Sequence, residues 1–216
     1  MRIADNIIKQ HIQNVFFIWG RGKTTIANAL RDQYGCFVYS VDDSRARHRK
    51  DADPLYQPTM CRNYVQEYGV SDFWQLPPEV IEDRETKWLI EFTPMAILDL
   101  ILLAPQHEII LCEGDIDDGM VLPIASRIVY LANRGTKFDW FNRPDHSDAL
   151  DCIKNRLDLT QAEKDELIRN AYNSVGHDER RPLPDWGTRP NIKNIIWDDN
   201  TSIEQTAQEV AQFFGL

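Results

Sequence analysis

A lysine and two threonines follow a glycine-rich turn near the start of the chain, in the run Gly20-Arg21-Gly22-Lys23-Thr24-Thr25. Glycines let backbone N–H groups come close to phosphate oxygens, and a helix N-terminus adds about half a positive charge. Lys23 would then reach the β and γ phosphates of a nucleotide, and the Thr24 hydroxyl would complete the coordination of Mg²⁺. The residues from 20 to 25 therefore predict a site for ATP with magnesium.

The elements on either side of this turn are those that a phosphate-binding loop requires. An apolar run of strand type, residues 15–19, precedes it, and a helical pattern closed by Gly35 follows. The usual signature is G-x-x-x-x-G-K-[ST], and Phe17 stands at the position of its first glycine. The alternative interpretation is a strand-to-helix turn with a surface lysine.

Two adjacent carboxylates follow the second strand-like run, residues 36–41, in the sequence Asp42-Asp43-Ser44-Arg45. Open α/β sheets bind ligands at the carboxyl ends of their strands, so this pair is the second candidate. Successive side chains of an extended segment face opposite ways, so only one carboxylate can orient an attacking hydroxyl. We assign that role to Asp42, which lies nearer the strand, with Asp43 as the substitute. The alternative is that both merely cap a turn.

The composition predicts one globular α/β domain over residues 1–216, with 43% apolar residues and a net charge of −10. So acidic a surface argues against nucleic acid as a partner. The four cysteines form no C-x-x-C pair and are interpreted as reduced core residues of a cytoplasmic protein. We see neither a signal peptide nor an apolar run long enough to cross a membrane.

Short apolar runs predict three further strands, and helical patterns fill the intervals. The strands are expected at 108–112, 127–131 and 192–197, and helices at 59–68, 78–92, 95–103, after Thr160 and after Ser202, with a surface loop at 46–57. Residues 44–104 would form a helical insertion that binds the acceptor substrate, and residues 133–190 an insertion containing a lid.

These motifs in this order resemble the P-loop kinases of the nucleoside and nucleotide kinase group, and among them small-molecule kinases such as gluconate kinase, 2-phosphoglycerate kinase and chloramphenicol phosphotransferase-like enzymes. The resemblance rests on residues 20–25, on residues 42–45, on Glu113-Gly114 after the third strand, and on the fifth strand with its Asp-rich loop. It covers the sheet and neither insertion.

The resemblance implies a three-layer P-loop NTPase fold with a parallel sheet in the order 2-3-1-4-5, and γ-phosphoryl transfer from ATP to a small-molecule acceptor. Asp42 would take the proton of the acceptor, Arg45 and Arg47 would bind an anionic part of it, and Glu113 would stand near the metal or the acceptor. The loop after Trp197 would border the adenine, and an arginine from 133–190 would close over the phosphates.

Two other functions stay open at this stage. A nucleoside monophosphate kinase would use arginines of the first insertion, chosen from Arg45, Arg47, Arg49 and Arg62, to bind a phosphate acceptor. A P-loop protein that binds nucleotide without efficient catalysis is the alternative that the Phe17 departure leaves open. In each scheme the partners are a nucleotide and small molecules, with a homodimer left open.

Overall fold

The computed structural model of the chain describes residues 3–62, 78–133, 153–169, 189–198 and 200–216. Five parallel strands form one sheet in the order β2-β3-β1-β4-β5. The strands are β1 (Val15–Gly20), β2 (Phe37–Ser40), β3 (Ile110–Glu113), β4 (Arg127–Asn133) and β5 (Ile192–Trp197). The predicted α/β class and the predicted strand order, 2-3-1-4-5, are confirmed.

Helices connect these strands and surround the sheet. They are α1 (Ile3–His11), α2 (Lys23–Tyr34), α3 (Val41–Asp51), α4 (Pro58–Cys61), α5 (Pro78–Leu103), α6 (Asp118–Val121), α7 (161–169) and α8 (Ile203–Phe214). A 3₁₀ turn, Ala104–Gln106, follows α5. Of the predicted helix at 59–68, only the first turn falls within the described residues.

The sheet is buried on both faces, as parallel sheets are. Because side chains alternate along a strand, β1 contributes to two separate cores. Phe17 packs in a core with residues of α5, and Ile18 packs on the other face with residues of α2 and α8. Phe17 is fully buried, so the position of the first signature glycine belongs to the interior of the strand.

Helix α3 includes residues 46–51 of the surface loop predicted at 46–57, so the prediction is wrong there, whereas residues 52–57 form turns and irregular backbone as predicted. Strand β2 ends at Ser40, whose Oγ accepts a hydrogen bond from the Asp43 amide at 3.3 Å and caps the helix. The sequence did not predict this helix, because nearly all of its residues are polar and no periodic pattern of apolar residues marks it. Only Val41, Ser44 and His48, at helical spacing, are buried.

Helix α5 is continuous through Pro94, where the sequence predicted a break between two helices. Proline removes one backbone donor and usually kinks or ends a helix. Here Pro94 is exposed and its neighbour Thr93 is fully buried, with Oγ1 accepting a hydrogen bond from the Asp117 amide at 2.8 Å. The prediction of two helices, 78–92 and 95–103, is therefore wrong.

Because α5 is continuous, the prediction that no apolar segment is long enough to cross a membrane is also corrected. Residues 83–106 form a 24-residue segment that contains an 18-residue window with mean hydropathy 1.6, which is long and apolar enough to cross a membrane by length and composition. Those criteria alone are weak evidence, because core helices of globular domains also meet them. One side of this segment is buried in the core through Trp88, Phe92, Ala96, Ile97 and Leu100.

Among the described cysteines, Cys36 and Cys112 are buried and Cys61 is exposed, and all three are free thiols. The prediction of core cysteines is therefore wrong for Cys61, which ends the short helix α4. Cys152 lies outside the described residues.

Gly20 ends β1 where no side chain fits, and this predicts a large stability effect. Its φ is 87°, and a Cβ at this position would lie 2.1 Å from the Leu131 carbonyl oxygen. We expect Gly20→Ala to lower the free energy of unfolding by about 3 kcal/mol or more, measured by equilibrium urea unfolding. Gly35→Ala is the matched control, since Gly35 has a φ of 71° with nothing within 4 Å of the added Cβ. Equal losses in the two variants would contradict the steric argument.

Candidate functional site

Three neighbouring strands end at one edge of the sheet and place the candidate residues there. Gly20 ends β1, Glu113 ends β3 and Ser40 ends β2. Ser40 and Glu113 are direct neighbours in the β2–β3 register, and Ile18 of β1 lies opposite Glu113. This is the carboxyl edge, at which open α/β sheets bind their ligands.

The turn between β1 and α2 is shorter than the usual phosphate-binding loop. The signature places four residues between its two glycines, whereas only Arg21 separates Gly20 from Gly22. The Arg21 amide donates to the Leu131 carbonyl of β4 at 2.9 Å, which fixes the turn against the sheet. The loop is therefore three residues shorter than the signature, because β1 continues to Gly20.

The N-terminus of α2 is free of side-chain caps and of acidic residues in its first turn. Its first intrahelical bond runs from the Ile26 amide to the Gly22 carbonyl at 3.0 Å. The amides of residues 22–25 therefore have no intrahelical acceptor. By contrast, α3 starts with a serine cap and two aspartates. Of these two neighbouring helix ends, only α2 offers uncompensated N–H groups to an anion.

Lys23 lies at the first position of α2 beside an aspartate. Its Nζ is 3.8 Å from Oδ2 of Asp115, and the two side chains are 19% and 61% exposed. The ammonium group is thus partly shielded without being enclosed by protein. Asp115 was not predicted as a site residue; its only sequence signal is its position two residues after the end of β3.

Thr24 and Glu113 join the turn to the end of β3. The Thr24 hydroxyl donates to Oε2 of Glu113 at 2.9 Å, and Glu113 is 1% exposed. Burial raises the pKa of Glu113, while hydrogen bonds from Ser40 and Thr24 and the charge of Lys23 act in the opposite direction. The two residues predicted to hold a metal are therefore in direct contact, and Ser40 joins them as a partner that sequence reasoning missed.

The raised pKa of Glu113 predicts how stability depends on pH. A carboxyl group whose pKa is raised by folding contributes stability that is fully present below its unfolded pKa, about 4.3, and is lost as the pH rises through the folded pKa. Glu113→Gln keeps an oxygen acceptor for Thr24 and removes the titration. We expect this variant to gain stability relative to the natural chain between pH 4.5 and pH 8, measured by urea unfolding.

Asp158→Asn is the control for this pH series. The pKa of Asp158 is lowered to about 2, chiefly by its hydrogen bond with Arg156, so this residue does not titrate in the same window. The free energy of unfolding of Asp158→Asn should therefore change with pH in parallel with that of the natural chain. A Glu113→Gln profile that also runs parallel would show that Glu113 is ionised throughout.

Asp42 and Asp43 lie in the first turn of α3, so the predicted extended geometry, with side chains on opposite faces, is wrong. Asp42 is 57% exposed in its side chain, and its Oδ1 lies 3.4 Å from Nε of Arg45, one helical turn later. The Arg45 guanidinium lies over the Trp88 ring of α5, 4.7 Å from its centre. Asp42 and Arg45 are thus brought together, and the Asp43 amide instead takes part in the Ser40 cap.

Arg47 points to a different part of the molecule. It pairs with Asp99 of α5, whose Oδ2 also contacts the hydroxyl of Tyr39 and Nε2 of His48, each at 2.8 Å. Residues two positions apart on a helix face different ways, which separates Arg47 from Arg45. The cluster of Tyr39, Arg47, His48 and Asp99 fastens α3 to α5, and the sequence carried no signal for it.

The side chain of Trp197, at the end of β5, packs against the turn between β1 and α2. A Cβ added to Gly22, where φ is 80°, would lie 2.3 Å from Cζ2 of the Trp197 ring. The indole therefore contacts the turn itself, in addition to preceding the loop predicted to border the adenine. Within the residues that the structure describes, its Nε1 has no hydrogen-bond acceptor.

Most of the arginines considered for the lid, Arg134, Arg143, Arg180 and Arg181, lie outside the described residues. Arg156 is described, and it pairs with Asp158. Thr25 is exposed on the first turn of α2, beside Thr24.

No protein-family model matches the chain, and no curated protein matches it. Among solved structures, the chain is similar to one described as the crystal structure of an uncharacterized protein from Eubacterium ventriosum ATCC 27560. The identity is 10%, the match covers 94% of this chain and 98% of that one, and the TM-score is 0.39.

Proposed function

We propose that the chain is a P-loop kinase that transfers the γ-phosphoryl group of ATP to a hydroxyl group of a small-molecule acceptor. The observation that carries the proposal is the contact between Thr24 and Glu113 at 2.9 Å, with Lys23 at the preceding position. It brings together a cation, a hydroxyl and a carboxylate beside the uncapped start of a helix. These groups suit a polyphosphate and its metal ion.

The donor chemistry of this cluster fits Mg²⁺. Thr24 and Glu113 would hold the ion through hard oxygen atoms, leaving its other positions to water and phosphate. In the described part of the chain, no group of three or more His, Cys, Asp or Glu side chains converges on one point. Magnesium in phosphoryl-transfer sites does not require one, because the substrate supplies ligands. Bound there, the ion would neutralise developing charge on the phosphates.

Three side chains of the protein would bind and orient the two substrates. Lys23 would exchange its contact with Asp115 for the β and γ phosphates, since that ion pair is long and its aspartate is exposed. Asp42, also exposed, would orient the acceptor hydroxyl and take its proton. Arg45 would hold Asp42 in place through their ion pair and fix the acceptor beside it.

The test is to mix the full chain with ATP, Mg²⁺ and a panel of small hydroxyl compounds and to measure ADP and phosphorylated product. We expect product with at least one acceptor, and loss of product when EDTA removes magnesium. Binding is measured separately by the thermal shift with a non-hydrolysable ATP analogue. Saturation at 100 times the dissociation constant should add about 2.7 kcal/mol of stability. Absence of any shift would contradict the proposal.

The short turn favours a second candidate, a nucleotide-binding protein without efficient catalysis. Gly20 and Arg21 are held against β4 by the contact with Leu131, so this turn offers fewer free amides than the full signature. For this candidate we expect a nucleotide-dependent thermal shift and ADP formation that no acceptor of the panel stimulates. Stimulation by one acceptor would exclude it.

A further inference from the structure

A chain of hydrogen bonds runs from the turn after β1 to the start of α3. The Thr24 hydroxyl donates to Oε2 of Glu113 at 2.9 Å. The Ser40 hydroxyl is hydrogen-bonded to the same carboxylate, and Oγ of Ser40 accepts the Asp43 amide at 3.3 Å. Ser40 therefore connects the two residues that would hold the metal ion with the helix that carries Asp42.

The strand register brings Ser40 and Glu113 side by side. They are paired residues of the parallel strands β2 and β3, and each is the last residue of its strand. Neighbouring strands lie about 4.8 Å apart, and paired side chains leave the sheet on the same face. Helix α3 starts at the next residue, Val41, so it begins directly beside the carboxylate of Glu113.

Gly114 and Val41 make a second contact between the same two segments. Val41 is the first residue of α3 and is fully buried. A Cβ added to Gly114, where φ is 132°, would lie 2.3 Å from Cβ of Val41. The backbone after β3 thus packs directly on the start of α3. Because of this contact and the Ser40 hydrogen bonds, the start of α3 has little room to move relative to Glu113.

Asp42 is the residue whose position depends on these contacts. It follows Val41 in the first turn of α3, and its exposed carboxylate pairs with Arg45 at 3.4 Å. An exposed ion pair alone holds a carboxylate only weakly. Phosphoryl transfer depends chiefly on positioning, and a displacement of about 1 Å can lower a rate about 10²-fold. A base at Asp42 therefore needs a fixed helix as well as its arginine.

We propose that Ser40 is a positioning residue, which holds the Asp42 helix against the carboxylate of Glu113 and so aligns the base with the metal site. This inference rests on the proposed kinase function, because it explains how the donor and acceptor sites of that reaction are held relative to each other. In this role Ser40 touches neither substrate. It acts through Glu113 on one side and through the first turn of α3 on the other.

The first experiment measures amide hydrogen exchange of α3 by NMR in the full chain without nucleotide. It compares the natural chain, Ser40→Ala, Glu113→Ala and the double variant, with exchange of α8 as the reference for global stability. We expect Glu113→Ala to speed exchange of α3 about 2–30-fold, the range for a lost cap, and to add nothing once residue 40 is alanine. Equal acceleration in both backgrounds would overturn the proposal.

The second experiment measures transfer at saturating ATP and acceptor. Ser40→Ala should lower the rate about tenfold or more while nucleotide affinity stays within about threefold. Ser40→Thr keeps a hydroxyl group and should restore the rate. In an Asp42→Asn background, Ser40→Ala should cost nothing further, because a positioning residue has no effect without the group that it positions. Full transfer in Ser40→Ala, or equal losses in both backgrounds, would contradict the positioning role.

Ser202→Ala is the matched control for the loss of a helix cap. Ser202 caps α8 by accepting the Gln205 amide at 3.1 Å, as Ser40 caps α3. We expect the control to lose a similar amount of stability and to keep its transfer rate. If Ser202→Ala and Ser40→Ala lost transfer equally, Ser40 would act only as a cap and the proposal would be wrong.

The two experiments separate this role from the kinase function. Non-additive exchange in a chain that phosphorylates no acceptor would contradict only the kinase function. Transfer that does not depend on Ser40 would contradict only the positioning role.

Discussion

Replacing Lys23 with alanine is expected to lower the affinity for ATP about 10–100-fold and the rate of transfer about 10²–10³-fold. The first effect follows from the loss of a charged hydrogen bond to phosphate. The second follows because the ammonium group neutralises charge that develops in the transition state. Affinity is measured by titration calorimetry with a non-hydrolysable ATP analogue and magnesium, and transfer by product formation.

Lys193→Ala is the matched control for charge. Lys193 lies on β5 and pairs with Glu209 of α8 at 2.8 Å, away from the turn. The variant removes one positive charge and an exposed ion pair, which stabilises a protein by about 0–1 kcal/mol. We expect its nucleotide affinity to match that of the natural chain. If Lys23→Ala bound the analogue equally well, the turn after β1 would not be a phosphate site.

Asp42→Asn is expected to lower the transfer rate about 10²–10⁴-fold while leaving nucleotide affinity nearly unchanged. Asparagine preserves the size of the side chain but cannot take a proton from the acceptor hydroxyl. The ion pair with Arg45, 3.4 Å long, is lost at the same time, so the acceptor should also bind more weakly. Single-turnover kinetics at saturating acceptor separates the chemical step from acceptor binding.

Asp43→Asn controls for the helix rather than for the reaction. It removes a negative charge from the first turn of α3, as Asp42→Asn does. A negative charge at this end of a helix stabilises the helix by about 0.3–1 kcal/mol. Asp42→Asn also loses its exposed ion pair with Arg45, so its stability should be lower than that of Asp43→Asn by no more than about 1 kcal/mol, and only Asp42→Asn should lose transfer. If Asp43→Asn were the inactive variant, the role of base would pass to Asp43. Full transfer in both variants would exclude this carboxylate pair.

The sheet could be predicted because its strands are marked by local patterns. Each is a short apolar run bounded by polar or turn residues, and the predicted ends of these runs differ from the strand ends by at most two residues. The order of the strands came from the resemblance to P-loop kinases, since no local pattern specifies which strands pair. Thr24 and Glu113 are in contact, and their common role at a metal ion stays a prediction.

The helices of the first insertion were harder to predict, for two different physical reasons. Helix α3 has few apolar residues, so its Ser40 cap and its packing on α5 had to be seen in three dimensions. Helix α5 runs through Pro94, where local propensity predicts a break. In both places tertiary contacts outweighed the local preference.

The sequence by itself determined that glycines, a lysine and a threonine follow the first strand, because residue type and spacing along one segment are local properties. It also determined that carboxylates follow the second and third strands. Only the tertiary structure decided that the turn is held against Leu131, that Arg45 meets Trp88 while Arg47 meets Asp99, and that Trp197 covers Gly22. These contacts join residues far apart in the chain, and they form only when the packing of sheet and helices brings those residues together.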